Sequence, residues 1–527
     1  MAAKPVAELI ATKPQTHPCR DEAGVNPLAV AETARREVNA SLDRTRRSAL
    51  GQFFTPPATA QFMASMCSVV QPQVHLLDAG AGLGALTAAW VNQICSRSSR
   101  PSSVRLTAYE VDTTLLPALR QTMSACRQAC EAAGIACEWV IHEADFIEAA
   151  VERLAPGLFR AEDHPFTVAI LNPPYKKFHA DSRTRRLLRQ MNIETTNLYA
   201  AFLALALLSL EVGGELVAIT PRSFCNGPYF RPFRQHLFRH ASLTHVHVFE
   251  ARDHAFRDDE VLQENVIIRA VKGVSQQPTV SVSQSETPDD LIDTQREVGF
   301  DRVVRPGDHQ AFIHLVPDGQ GDHLADAMVS LPCTLDDLGI SVSTGRVVEF
   351  RARQWLRAEP AADTVPLIYP THFDAGVVRW PKAETKKPNA IVCNSESASL
   401  MVRAGVYVLV KRFSAKEERR RLVAAIFDRE HVPCEMVGFE NHLNYFHERG
   451  APLGRELAKG LWAFLNSSAL DSYFRQFNGH TQVNATDLRS LHYPSRESLV
   501  TLGGQLKGFE FTQGVLDAAV KDILRVG

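Results

Sequence analysis

Between residues 74 and 271 short apolar runs alternate with helical segments, and that alternation constrains this chain more than any other feature. Residues 74–77, 104–109, 139–142, 167–171 and 215–220 read as strands, and 85–94, 115–133 and 197–210 as helices. Strands joined through helices of this length run parallel, which predicts an α/β fold with a doubly wound sheet. Two more strands, 243–249 and 264–271, are separated by a polar loop instead, so an antiparallel hairpin is expected at one edge of the sheet.

The chain has 527 residues, more than one such domain uses. Residues 1–26, rich in Pro and Ala without hydrophobic period, read as a flexible tail, and 27–275 as the α/β domain. A helical pattern opens that domain over 27–50, with Arg35, Arg36, Arg44, Arg46 and Arg47 along it. The stretch 276–330 turns polar and rich in Pro, Gly and Asp, as expected of a linker. From 331 to 527 the alternation is lost, and short strands mixed with helices predict a second, α+β domain.

Lys and Arg number 57 against 59 Asp and Glu, so the formal charge of −2 neither requires nor forbids nucleic acid. The closest group of cysteines, Cys126, Cys130 and Cys137, lacks the paired spacing of a zinc site, and no metal is expected. The N-terminus has no apolar core of a signal peptide, and no apolar run is long enough to span a bilayer. A soluble cytoplasmic protein with no membrane partner is the expectation.

The most specific motif is Asn172-Pro173-Pro174-Tyr175, directly after the apolar strand 168–171. The prolines end the strand and fix a turn, placing Asn172 and Tyr175 at its C-terminal end, the edge of an open α/β sheet where ligands bind. Asp78-Ala79-Gly80-Ala81-Gly82-Leu83-Gly84 follows another strand and opens a helix, so its glycines permit a tight turn and close approach of backbone to a ligand. Glu110 ends the next strand, where a carboxylate can accept both hydroxyls of a ribose. Asp145-Phe146 follows the third: a carboxylate for an amino group beside a ring for a purine face.

Taken with Gln52-Phe53-Phe54-Thr55-Pro56-Pro57, this series resembles the γ-class amino-methyltransferases of the TaqI and PstI/BsuBI type, which act on adenine in DNA. The likeness runs over residues 25–275 and on into the C-terminal half. It implies a class I methyltransferase sheet, S-adenosylmethionine as cofactor and double-stranded DNA as partner, with a separately encoded restriction endonuclease acting on the same site. It further implies that Thr55, Pro56, Asp78 and Gly80, with Gly82, hold the methionine end of the cofactor. Glu110 would hold its ribose, and Asp145 and Phe146 its adenine. Asn172 and the Pro173 carbonyl would bind the target amine, Pro174 would shape the turn, and Tyr175 would stack on a flipped-out adenine. Phe256 is the expected aromatic for its other face, with Phe249 in reserve.

Competing chemistries are visible too. Attack on cytosine carbon needs a cysteine nucleophile, and the Pro-Cys pairs ending at Cys19, Cys333 and Cys434 follow no strand of the predicted sheet. Methylation of protein glutamine or of RNA adenine would use the same NPPY turn. Asp374 with Glu384-x-Lys386 loosely fits a nuclease, which would make a combined restriction–modification enzyme.

The C-terminal half is expected to recognise the DNA target. Lys411, Arg412, Lys416, Arg419, Arg420 and Arg421 cluster within eleven residues, enough for phosphate contacts. Ser414-x-x-Glu417 reads as a capping box that predicts a helix over 416–427. The polar segment 478–484 could read base edges or form a simple turn. Behind NPPY, Lys176, Lys177, Arg183 and Arg186 are candidate phosphate clamps.

Overall fold

The structure, a computed structural model, describes residues 25–41, 54–68, 71–155, 165–179, 181–249, 265–285, 294–315, 320–383, 385–414, 418–478, 482–506 and 512–526. The tail to residue 24, Gln52, Phe53, Phe256, Glu384, Lys416, Glu417 and the stretch 479–481 lie outside them.

The first half is built on a nine-stranded sheet in the order β3-β2-β1-β4-β5-β7-β6-β8-β9. Its strands are β1 Gln73–Ala79, β2 Ser103–Glu110, β3 Ala136–Glu143, β4 Phe166–Leu171, β5 Leu210–Pro221, β6 Ala241–Phe249, β7 Asn265–Lys272, β8 Thr279–Ser285 and β9 Thr294–Gly299. β3, β2, β1, β4 and β5 pair in parallel. Period-two alternation assigns each strand residue to a face. Leu76, Leu106, Val168, Ile170 and Val217 pack with the helices Pro57–Ser65, Ala85–Ser96 and Leu116–Ala132 on one side. Leu77, Ala169, Leu171, Leu216 and Ala218 face the helices Phe146–Leu154, Leu198–Ser209 and Arg231–His240 on the other. Strand order reverses between β1 and β4, and the loops after both strands therefore flank one crevice.

β6 and β7 do form an antiparallel pair, but not at the edge. β8 pairs in parallel with β6 and β9 antiparallel with β8, so residues 279–285 and 294–299, expected in a linker, extend the sheet. The reason is a polar seam. His245 Nε2 lies 2.7 Å from Ser283 Oγ, and His247 bonds Ser283 Oγ at 2.9 Å and Ser285 Oγ at 3.1 Å. Burial lowers the pKa of His245 to about 4 and of His247 to about 3. Both rings are thus neutral in the fold and protonate near pH 6.5 once unfolded. Their stability contribution is complete above pH 6.5 and is lost as pH falls toward 4, by roughly 1–2 kcal/mol per ring at pH 5. The thermal unfolding midpoint should therefore drop by several degrees between pH 7 and pH 5 and drop less in His247→Phe; equal pH dependence of the two proteins would contradict this.

In the C-terminal half, a six-stranded and a five-stranded sheet enclose a core of Tyr407, Leu409, Phe427, Phe439 and Tyr445. The helices Arg455–Leu465 and Arg496–Gln505 cross so closely that a Cβ on Gly460 would fall 1.8 Å from the Leu499 carbonyl oxygen. Of the helix expected over 416–427, the described residues 418–427 form none: Ala424–Asp428 is a central strand. Ser414 is no N-cap here, since its hydroxyl donates to the Arg421 carbonyl at 2.8 Å.

Candidate active site

Each predicted motif of the first half reaches the crevice by the route its sequence dictates. β1 delivers Asp78, which is 1% exposed, and Thr87 Oγ1 donates to its Oδ2 at 2.7 Å. The other oxygen, Oδ1, is buried without a hydrogen-bond partner among the described residues, and burial pushes this carboxyl up to about 7. The loop that follows passes through left-handed conformations at Gly80 (φ 75°), Gly82 (55°) and Gly84 (79°). At Gly84 a Cβ would also meet Leu119 Cδ1 at 2.9 Å, so only glycine lets the helix start against its neighbour.

β2 delivers Glu110, which ties the two loops together. The backbone N–H groups of Gly82 (2.8 Å), Val111 (2.8 Å) and Asp112 (2.7 Å) all donate to its carboxylate. Burial raises the pKa of Glu110, and the three amides oppose that rise. Asp145 caps the helix Phe146–Leu154, with Oδ1 accepting from Ile147 N at 2.7 Å and Glu148 N at 3.4 Å. Phe146 is 3% exposed and packs on Tyr109 and Phe202, with ring centroids 5.3 and 5.2 Å away. It walls the crevice from within the core.

β4 delivers the NPPY turn. Asn172 Nδ2 donates to Thr55 Oγ1 at 3.0 Å, a bond across 117 positions of sequence that turns Oδ1 to the opposite side. The Tyr175 hydroxyl reaches the Ile219 carbonyl at 3.4 Å, and its ring meets Tyr199 edge-on at 6.1 Å. Leu198 N donates to the Lys176 carbonyl at 2.8 Å, anchoring the turn to the next helix. A cleft of about 210 Å³ is lined by Gly80, Gly82, Glu110, Asp145, Phe146 and Asn172, with Pro174 and Lys176 at its side. A smaller hollow on the other side of the glycine loop adds Thr55, Glu32 and Arg35, and shares Gly80, Gly82 and Asn172 with the cleft. Pro56 precedes the helix Pro57–Ser65 that carries this wall.

Other expected residues stand elsewhere. Phe249 is 2% exposed inside the core of the sheet, so it cannot cover a base. Arg183 pairs with Glu148 at 3.1 Å and Arg189 with Glu194 at 3.4 Å, as solvated helix charges do, and the more buried Arg185 pairs with Glu194 at 2.9 Å. Lys176, Lys177 and Arg186 are exposed. Of the C-terminal basic cluster, Arg421 is buried, with its guanidinium on Ser414 and Asn478, and Arg420 donates to the Ser467 carbonyl at 2.9 Å. These two hold the fold together. Lys411 and Arg412 are half-exposed, with Arg412 Nη1 on the Asn441 carbonyl at 2.7 Å. Asn478 is buried in the network of Arg421 and Asp487. Asp374 pairs with Arg379 at 2.6 Å, and no group of metal-binding side chains occurs among the described residues. Among those residues no helix is long and apolar enough to cross a membrane.

Sequence reasoning missed the Thr55–Asn172 bond and the interdomain clasp of Arg222, whose Nη2 donates to the Gln476 carbonyl at 2.8 Å. Neither leaves a local signal, because each joins positions far apart in the chain. Arg35 stood in the basic run of the first helix, but nothing in that run marked it as lining the hollow.

Residues 103–256 match the family model of the Eco57I restriction-modification methylase. In overall fold the chain is similar to the type IIL restriction-modification enzyme MmeI, solved in complex with DNA, at a TM-score of 0.50 and 10% identity, over 94% of this chain and 72% of that one. It is 44% identical to the type II methyltransferase M.BsuBI of Bacillus subtilis over 479 residues, 90% of this chain and 93% of that one. With the type II methyltransferase M.PstI of Providencia stuartii it shares 45% identity over 497 residues, 94% of this chain and 97% of the relative. This chain belongs to the type II methyltransferase family of M.PstI and M.BsuBI.

Proposed function

We propose that this protein methylates the exocyclic 6-amino group of an adenine flipped out of double-stranded DNA, as the modification component of a restriction–modification system. The observation that carries the reading is the meeting of the NPPY turn and the glycine loop at the switch point of the sheet, with Asn172 held on Thr55. S-adenosylmethionine, when bound, supplies the electrophilic methyl. The residues present fit it: Asp78 offers a buried carboxylate oxygen without a partner among the described residues, and Asp145 and Phe146 line the cleft. Thr55, Pro56, Asp78, Gly80 and Gly82 hold its methionine end, Glu110 its ribose hydroxyls, and Asp145 its adenine amine beside Phe146.

Asn172 Oδ1 and the Pro173 carbonyl accept the two hydrogens of the target amine. They orient a nitrogen whose lone pair is otherwise delocalised into the ring, so its attack is in line. The proton becomes acidic after transfer and needs no carboxylate base. Tyr175 covers the extruded base in place of the lost stack. Lys176, Lys177 and Arg186, with Lys411 and Arg412 from the residues beyond 331, contact phosphates. A separately encoded endonuclease is the partner in a bacterial cytoplasm, at the nucleoid. The chemistry would also serve a glutamine amide or RNA adenine, and one assay separates them. Purified protein is supplied with methyl-labelled S-adenosylmethionine and unmethylated bacterial DNA, RNA or protein. Label recovered as N6-methyldeoxyadenosine is expected; label confined to RNA or protein would overturn the reading.

A further inference from the structure

One polar cluster in the C-terminal half is built unlike its surroundings. Glu440 is 0% exposed, and its carboxylate accepts from the backbone N–H of His442 at 2.8 Å and lies 2.6 Å from His442 Nδ1. Its backbone is pressed against Gly345, where a Cβ would fall 2.1 Å from the Glu440 carbonyl oxygen. The His442 side chain is 44% exposed. Burying a carboxylate for a partner half in water is a poor way to stabilise a fold. What the pair does achieve is to fix the ring: Nδ1 is committed to Glu440, and Nε2 points away from it. Phe413, 43% exposed, tilts against that ring at 4.8 Å, and Arg412 N donates to the His442 carbonyl at 2.8 Å.

The cluster also sits at the right end of the domain. Val483 N donates to the Arg412 carbonyl at 2.7 Å, and Phe413 bridges to Gln482, joining the cluster to the chain beyond the helix Ser468–Phe477. The C-terminal end of that helix is gripped by Arg222, the first residue after β5. Burial lowers the Arg412 pKa, and the neighbouring Tyr229 hydroxyl and Glu440 carboxylate oppose that shift. Tyr229, 77% exposed, belongs to the turn Pro228–Phe230 of the catalytic half. Phe230 in turn stacks on Tyr199 at 5.3 Å, and Tyr199 meets Tyr175. Phe230, Tyr199 and Tyr175 thus form a run of ring contacts from that turn to the NPPY turn.

Resting on the reading as a DNA methyltransferase, we propose that His442, held by Glu440 and flanked by Phe413, reads a base pair of the target sequence in double-stranded DNA. The outward Nε2 meets a base edge, accepting from an exocyclic amine when the ring is neutral or donating to a purine N7 or O6 when it is charged, and the Phe413 ring gives an apolar contact beside it.

The test expresses wild type, His442→Ala and Glu440→Gln in a methylation-free host and maps modified bases by single-molecule sequencing. Wild type is expected to mark one motif. Both variants should mark the same base, but with discrimination at one motif position, or its symmetry mate, relaxed about tenfold or more. A His442→Ala motif identical to the wild type, at whatever extent of methylation, overturns the proposal. Should His442→Ala fail to accumulate as folded protein, His442→Gln carries the same two outcomes. Failure of the underlying reading looks different, because wild type itself would then leave the DNA unmarked.

Discussion

Asn172→Ala is expected to slow methyl transfer roughly 10²–10³-fold, the typical loss when one preorganised hydrogen-bonding group at a reaction centre is removed. Cofactor affinity should fall far less than the rate, because the residues assigned to the cofactor stand on β1, β2, the turn after β3 and the segment before the helix Pro57–Ser65 and are left unchanged. The variant also loses the bond to Thr55 Oγ1, worth about 1 kcal/mol. Thr55→Val removes that bond while leaving Asn172 in place, and saturating S-adenosylmethionine offsets any weaker hold on the methionine end, so the pair separates the two effects. Asn172→Asp keeps an acceptor facing the amine and should retain more activity than alanine. Single-turnover rates at saturating cofactor and DNA measure this directly. A rate for Asn172→Ala equal to that of Thr55→Val would reduce Asn172 to a structural link.

Glu110→Ala should weaken S-adenosylmethionine binding by about two orders of magnitude, since hydrogen bonds to a charged acceptor contribute roughly 1.5–3 kcal/mol each. It should also lower the unfolding midpoint, because the amides of Gly82, Val111 and Asp112 lose their shared acceptor. Glutamine is no conservative replacement here. Three N–H donors converge on the carboxylate, and a side-chain NH₂ would face donors with a donor. Calorimetric titration of Glu110→Gln should therefore resemble alanine more than wild type. An affinity within a few-fold of wild type in both variants would remove Glu110 from the site.

The parallel sheet and its crevice were legible because backbone chemistry wrote them locally. Apolar alternation marked β1, β4 and β5, the glycines marked a turn through positive φ, and the two prolines after Leu171 marked a strand end. β8 was not legible, since its buried faces carry Ser283 and Ser285, whose burial makes sense only opposite His245 and His247. The basic cluster misled for a related reason. Charge density along the chain does not reveal that Arg421 is enclosed by Ser414 and Asn478, nor that a serine three residues before a glutamate serves another carbonyl. Paired charges behind NPPY, such as Arg183 with Glu148, were equally invisible until the helices met. The residues lining the crevice were legible through their strand ends, whereas the Thr55–Asn172 bond and the His442–Glu440 pair required the folded chain.

Asn172 and its neighbours are proposed to methylate adenine within one DNA sequence. Single-molecule sequencing of DNA from a methylation-free host, expressing either this chain or its Asn172→Ala variant, tests it most directly. Modified adenine at one short motif is expected with the wild type, and its loss with the variant. DNA left unmodified by a folded wild type that still binds S-adenosylmethionine would contradict it.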